Sequence, residues 1–224
     1  KTTFAASAAK FEPTSPVLYL DLEGSTTGVT RDVPPENIDI VRPKNMPIPE
    51  GMTKEEGWIH NTDRILVAFL TGEMPREYKT IVIDPLNVYN DWCADHFEAV
   101  EMAKQNPNKF SIWTEAAKKT TGSNGIFPLL KDAGVLSILV VHQKTDDNGV
   151  ADFAWRGSGS RAKVGQTPDV VVHLSLDTDR KTGESHTEAQ MFASRTIGAK
   201  NRFNLPPFVE DLTIEKLWKL CDNH

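Results

Sequence analysis

The chain has 224 residues, a formal charge of −6 at pH 7 and 39% hydrophobic residues. This length and composition suit one large α/β domain with a buried core and exclude a disordered chain. The acidic balance excludes a globally basic nucleic-acid binder but leaves room for basic loops on an acidic body. Cys93 and Cys221 lie far apart without metal-ligand spacing, so free thiols in a reducing cytoplasm are expected. No apolar run reaches the ~18 residues of a membrane-spanning helix, so no membrane partner is expected.

Lys1-Thr2-Thr3-Phe4-Ala5-Ala6-Ser7-Ala8-Ala9 is rich in helix formers. Lys and Thr opening a helix also end the phosphate-binding pattern GxxxxGK[ST]. There a glycine-rich turn and the helix N-terminus bind phosphate, and the hydroxyl holds magnesium. That reading implies a preceding strand and turn, roughly 15–20 residues, which this sequence lacks. The plainer reading is an ordinary N-terminal helix. Val17 to Gly24 reads as a buried strand that ends in two carboxylates, Asp21 and Glu23, and a glycine. A Glu at such a strand end can orient and deprotonate water near a γ-phosphate, or simply cap the turn.

Asp39-Ile40-Val41 is a short candidate strand in a proline-rich stretch, and Ile59 to Thr71 has the apolar spacing of a helix. Thr80-Ile81-Val82-Ile83-Asp84-Pro85 is an apolar run closed by a carboxylate and a proline. It reads as a strand of a parallel sheet buried on both faces. Its carboxylate emerges at the C-terminal sheet edge, where open α/β folds bind ligands and an Asp can hold magnesium beside phosphates. Asn90 to Gln105 reads as a helix, Asn106 to Gly125 as a polar flexible segment carrying Lys109, Lys118 and Lys119, and Phe127 to Ala133 as a helix.

Val135 to Val141 is a third buried strand, delivering His142-Gln143-Lys144. A polar group at the end of a central strand can sense a γ-phosphate; a lone His there is more often structural. Thr145 to Thr167 reads as a long glycine-containing loop, with Arg156, Arg161 and Lys163 beside Trp155. Such a loop suits single-stranded nucleic acid, with cations on phosphates and a ring under the bases, or is a plain solvated loop. Asp169 to Leu176 is a fourth strand, 177–184 a polar hairpin turn and 187–196 a returning antiparallel strand at the sheet edge. Lys200 and Arg202 are two residues apart, so in extended chain they reach the same way toward one anion. Residues 214–221 form a closing amphipathic helix.

Taken in order, these segments resemble the RecA/RadA/DnaB group of RecA-fold ATPases, and most of all the small phage RecA-like ATPases of single-strand annealing and recombination. The likeness spans nearly the whole chain. It implies a single RecA-like P-loop NTPase domain over 1–224, with a mainly parallel central sheet flanked by helices and its first strand and glycine-rich turn missing. Lys1-Thr2-Thr3 matches the end of the phosphate loop, which makes Lys1, Thr2 and Thr3 nucleotide contacts and Thr2 and Asp84 magnesium ligands. Glu23 matches the catalytic base, and Gln143 the γ-phosphate sensor in preference to His142. The loop after Gln143 and the 106–125 segment match two DNA-binding loops, hence Lys118, Lys119, Trp155, Arg156, Arg161 and Lys163 as DNA contacts. Lys200-Asn201-Arg202-Phe203 resembles a segment whose Lys and Arg reach a neighbour's ATP, which implies a ring or filament of identical subunits.

The resemblance thus implies an enzyme with ATP and Mg²⁺ that hydrolyses ATP on single-stranded DNA in phage or bacterial recombination or repair. A DnaB-type helicase motor is the alternative within the class, and a nucleotide-gated DNA-binding scaffold with negligible hydrolysis the alternative outside it.

Overall fold

No charged residue interrupts Val17–Leu20 or Ile81–Ile83, and the Tyr19 hydroxyl is the one polar side-chain group in either run, so neither face of these strands suits contact with water. The computed structural model describes residues 1–178, 182–194 and 197–222, with the backbone alone at 158 and 159. In it β1 (Val17–Asp21), β2 (Ile38–Val41), β3 (Thr80–Asp84) and β4 (Leu136–Leu139) form one sheet in the order β2–β1–β3–β4. Every pairing in this sheet is parallel, and the register sets Asp21 opposite Asp84. All residues of β1 and β3 are buried.

Helices cover both faces, as a parallel sheet requires. They are α1 (Thr2–Ala6), α2 (Lys54–Thr71), α3 (Leu86–Met102), α4 (Lys109–Thr120), α5 (Ile126–Asp132), α6 (Ser158–Gln166) and α7 (Ile214–Asp222). The period-two alternation of a strand divides the core between them. Leu18, Leu20, Leu22, Ile81 and Ile83 pack with Ile59 and Leu66 of α2 and Tyr89 and Trp92 of α3. Val17, Tyr19, Val82 and Ile138 face the other way, onto Ala5 and Ala6 of α1 and Ala8 and Ala9 of the 3₁₀ turn that follows. The small alanines keep α1 close to the sheet. Helix α2 begins where Thr53 Oγ1 accepts the Glu56 amide at 3.3 Å and ends at Gly72, whose φ of +73° suits glycine.

Three expectations need correction. Residues 106–125 are not a flexible loop, because α4 occupies most of them. The signal was there: Ile112, Ala116 and Thr120 are buried at intervals of four, and the Asn108 side chain accepts the Phe110 amide at 3.1 Å as an N-cap. The turn leading into α4 is closed by Glu101, which accepts the Asn108 amide at 2.7 Å and Lys104 Nζ at 2.5 Å. The Lys104 and Asn108 hydrogen bonds hold the Glu101 carboxyl down to about 2.

Residues 145–167 are not a structureless loop either. They hold most of a hairpin of β5 (Gln143–Thr145) and β6 (Ala151–Phe153), followed by α6. The Asp146 carboxylate accepts the amides of Asn148 and Val150 at 2.9 and 2.8 Å, which nucleates the hairpin turn.

The antiparallel strands, finally, do not extend the parallel sheet. β7 (Val170–Val171) pairs with β10 (Lys200–Asn201). β8 (His173–Thr178), β9 (Ser185–Gln190) and β11 (Phe208–Glu210) form a separate sheet in the order β11–β9–β8. This sheet has its own core, in which Ala189, Met191, Leu205 and Leu212 pack with Leu217 and Leu220 of α7. Its apolar face is satisfied by that helix and has no need of the larger sheet. The expected hairpin turn at 177–184 and returning strand at 187–196 fall partly outside the described residues. Among the described residues no helix is long and apolar enough to cross a membrane.

Candidate functional site

Parallel strands end at one edge, so Asp21, Asp84 and the residues after β4 gather there. Asp84 shares its strand face with Val82, the face covered by α1. Its carboxylate is buried, and Oδ2 accepts the Thr2 hydroxyl at 2.8 Å and the Tyr19 hydroxyl at 2.5 Å. Oδ1 accepts no hydrogen bond among the described residues. Lys1 Nζ donates to the Val141 carbonyl, just past β4, at 2.9 Å. Burial lowers the pKa of this ammonium, opposed by the Asp84 charge. Thr3 is exposed on the first turn of α1.

On the neighbouring strand end Asp21 organises a turn. Its Oδ1 accepts the Gly24 and Ser25 amides at 2.7 and 3.0 Å, and Oδ2 accepts the Thr26 hydroxyl at 2.7 Å and Arg42 Nε at 2.9 Å. Gly24 sits at φ +83°, where other residues are strained. The turn presents Glu23, whose Oε2 is 3.5 Å from His142 Nε2. The His142 amide donates to Asn87 Oδ1 at 2.9 Å, tying the end of β4 to α3. Gln143 Oε1 accepts a hydrogen bond from His173 Nε2 of β8. Burial and the Lys1 charge lower the His173 pKa against the pull of Glu188, which favours a neutral imidazole.

Two hollows flank these groups. One of 70 Å³ is lined by Lys1, Gln143, His173 and Gly198 among others. The larger, 270 Å³, is lined by Asp21, Glu23, Arg42 and Lys44 and by none of Lys1, Thr2 and Asp84. Among the described residues no three His, Cys, Asp or Glu side chains form a metal cage. One hydroxyl and one carboxylate with an open oxygen, as at Thr2 and Asp84, fit magnesium, which keeps several waters and takes its remaining oxygens from phosphates. The same pair is too few and too hard for a structural zinc site.

The remaining candidate residues lie elsewhere and mostly have partners within the chain. Lys200 Nζ donates to the Gln166 carbonyl, and Arg202 pairs with Asp169 at 2.6 Å. Lys118 pairs with Glu115 and Lys119 with Asp63, both at 2.6 Å. Arg156 bonds Asp95 and Glu98 and lies 5.5 Å above the Trp113 ring. Arg161 pairs with Asp152 at 3.2 Å, while Lys163 is exposed with no ion pair among the described residues.

Trp155 is a correction. It is 4% exposed, packs edge-on against Phe127 and donates its indole N–H to Ser160 Oγ at 3.0 Å. A ring so enclosed offers no face to a base. The aromatic beneath the neighbouring Arg156 is Trp113 of α4, 38% exposed, and Phe110 one turn earlier on that helix is 83% exposed.

Sequence reasoning passed over Tyr19, Arg42, Asn87 and His173, the side chains that hold Asp84, Asp21, His142 and Gln143. Neither a scan of protein-family models nor a search of curated proteins finds a match to this chain.

Proposed function

We propose that the chain is a RecA-like P-loop ATPase whose hydrolysis is coupled to single-stranded DNA, serving phage or bacterial recombination or repair. The observation that supports this best is the meeting of Lys1, Thr2 and Asp84 at one corner of a parallel sheet, with Glu23 and Gln143 on adjacent strand ends. Phosphoryl transfer asks a protein for positioning and charge stabilisation more than covalent chemistry, and this set supplies both. Lys1 binds phosphate, and the Thr2 hydroxyl with the Asp84 carboxylate holds Mg²⁺. Bound magnesium neutralises charge on the phosphate oxygens. Glu23 orients the attacking water and takes its proton. Gln143 contacts the γ-phosphate and, through His173, reports its presence to β8. Lys200 and Arg202 serve a neighbouring subunit's ATP after exchanging their present partners, Gln166 and Asp169.

A second reading, in which ATP sets assembly and little is hydrolysed, is favoured by one contact: Glu23 faces the His142 imidazole. ATP hydrolysis by the full-length protein, with and without single-stranded DNA and beside Glu23→Gln, separates the two. Stimulation by DNA with a loss of about 10²–10⁴-fold in Glu23→Gln supports the ATPase. A slow, DNA-independent rate shared by both proteins overturns it.

A further inference from the structure

Tyr19 lies in the middle of β1 with no exposed surface. Its ring packs in the core between the sheet and α1, a role phenylalanine fills equally well. A phenol at such a place needs a hydrogen-bond partner. Here the partner is a carboxylate: the hydroxyl donates to Asp84 Oδ2 at 2.5 Å, the oxygen that also accepts Thr2. The register explains the reach, because Tyr19 pairs with Val82 and points to the face on which Asp84 emerges two residues later. Two donors on one carboxylate oxygen fix the carboxyl torsion and leave the other oxygen unengaged.

Resting on the ATPase reading, we infer that Tyr19 is a positioning residue for the cation ligand Asp84. Its hydroxyl pins Oδ2 so that Oδ1 is presented ready-oriented to the divalent cation. Partners that orient a ligand from behind typically change metal affinity 10–100-fold when removed. Nothing else on β1 does this: Asp21, the other carboxylate at the edge, is engaged with Thr26, Arg42 and the turn amides.

The test is Mn²⁺ binding in the presence of ADP, read by electron paramagnetic resonance on the full-length protein, Tyr19→Phe and Asp84→Asn, with thermal melting as a check on folding. Expected is an affinity at least tenfold weaker in Tyr19→Phe, no site in Asp84→Asn, and a folded Tyr19→Phe protein. If Tyr19→Phe binds Mn²⁺ within twofold of wild type while Asp84→Asn does not bind, the hydroxyl is only a satisfied core group. The inference then fails and the ATPase reading stands. If wild type and Asp84→Asn behave alike, Asp84 is not the cation ligand, and both fall. Should Tyr19→Phe fail to fold, 3-fluorotyrosine at position 19 adds only one small atom and makes the phenol a more acidic, stronger donor; an unchanged Mn²⁺ affinity there overturns the inference.

Discussion

Removing the charge of Asp21 tests how the site is held without touching any group assigned to chemistry. This carboxylate is 1% exposed and receives Gly24, Ser25, Thr26 and Arg42. Burial alone would raise its pKa, but the hydrogen bonds from Thr26, Arg42 and the two amides outweigh it, and the folded pKa is lowered. Asp21→Asn keeps the shape and turns one acceptor into a donor. If the amide oxygen serves Gly24 and Ser25, the NH₂ meets Arg42 Nε, which has no lone pair to give. Stripping one partner from a buried pair costs about 3–5 kcal/mol. The Arg42 side chain is 37% exposed, so water recovers part of that. A loss of about 2–3 kcal/mol remains.

With a urea m-value near 3 kcal/mol/M, the midpoint drops by about 0.7–1 M at unchanged slope. The pH dependence has a definite sign. A carboxyl with a lowered folded pKa contributes fully above its unfolded value of about 3.9 and loses that contribution as pH falls through the folded value. The gap between wild type and Asp21→Asn is therefore flat from about pH 5 to 7 and closes below about pH 4. A midpoint shift under about 0.2 M at pH 7, or a gap that widens in acid, refutes the reasoning.

Other consequences are checked separately. Trp155→Ala should destabilise by about 3–5 kcal/mol, as removal of a large buried ring does. Trp113→Ala should melt close to wild type, and equal melting of the two variants would contradict the burial of Trp155. The Cys93 thiol is buried, and that burial pushes its pKa up to about 12. Ellman's reagent at pH 8 should therefore leave Cys93 unmodified in the native protein and reach both thiols in urea; rapid native labelling of Cys93, located by peptide mass, would argue against the packing of α3. Arg202→Ala should lower turnover about 10³–10⁵-fold with ATP binding retained. Undiminished turnover in that variant removes the in-trans role.

The parallel sheet was legible because each of its strands depends on its own residues. Apolar runs at 17–20 and 81–83 have few alternatives to two-sided burial, and both are fully buried; the run at 135–141 forms the edge strand β4 and is only half-buried, while Asp39-Ile40-Val41 extends the same sheet. What went unread depended on partners distant in sequence. Helix α4 carries Phe110, Trp113 and many polar residues, so it looks like loop until Ile112, Ala116 and Thr120 are counted as one face. Trp155 sits beside Arg156 in the chain, and adjacency suggested a shared surface. In the fold the two side chains part: the indole turns to Phe127 and Ser160, and the guanidinium turns to Asp95, Glu98 and Trp113. The separate sheet of β8, β9 and β11 was missed for a related reason. Leu174 and Ala189 alternate with polar residues, which marks a one-sided sheet that finds its cover in α7.

The candidate site divides along the same line. Glu23, Asp84 and Gln143 became candidates because each stands at or just past the end of an apolar run, which is visible in one dimension, and the resemblance singled out Gln143 over His142. The residues that orient them lie inside strands and helices, where sequence reads as packing alone. Tyr19 is the plainest instance, a hydroxyl within the otherwise apolar run Val17–Leu20. That hydroxyl is itself a signal, since a phenol costs free energy inside a two-sided core unless something takes its proton. Parallel register narrows the search to the two strands that flank β1: on β2 the face of Tyr19 carries Ile38 and Ile40, and on β3 Tyr19 pairs with Val82, whose face also carries Thr80 and Asp84. Of these, Thr80 offers a neutral hydroxyl that donates to the Thr14 carbonyl at 2.6 Å, whereas Asp84 offers a carboxylate, the stronger acceptor. The phenol donates to Asp84, and an interior polar residue in a buried strand is best read as an address for the side chain it must meet.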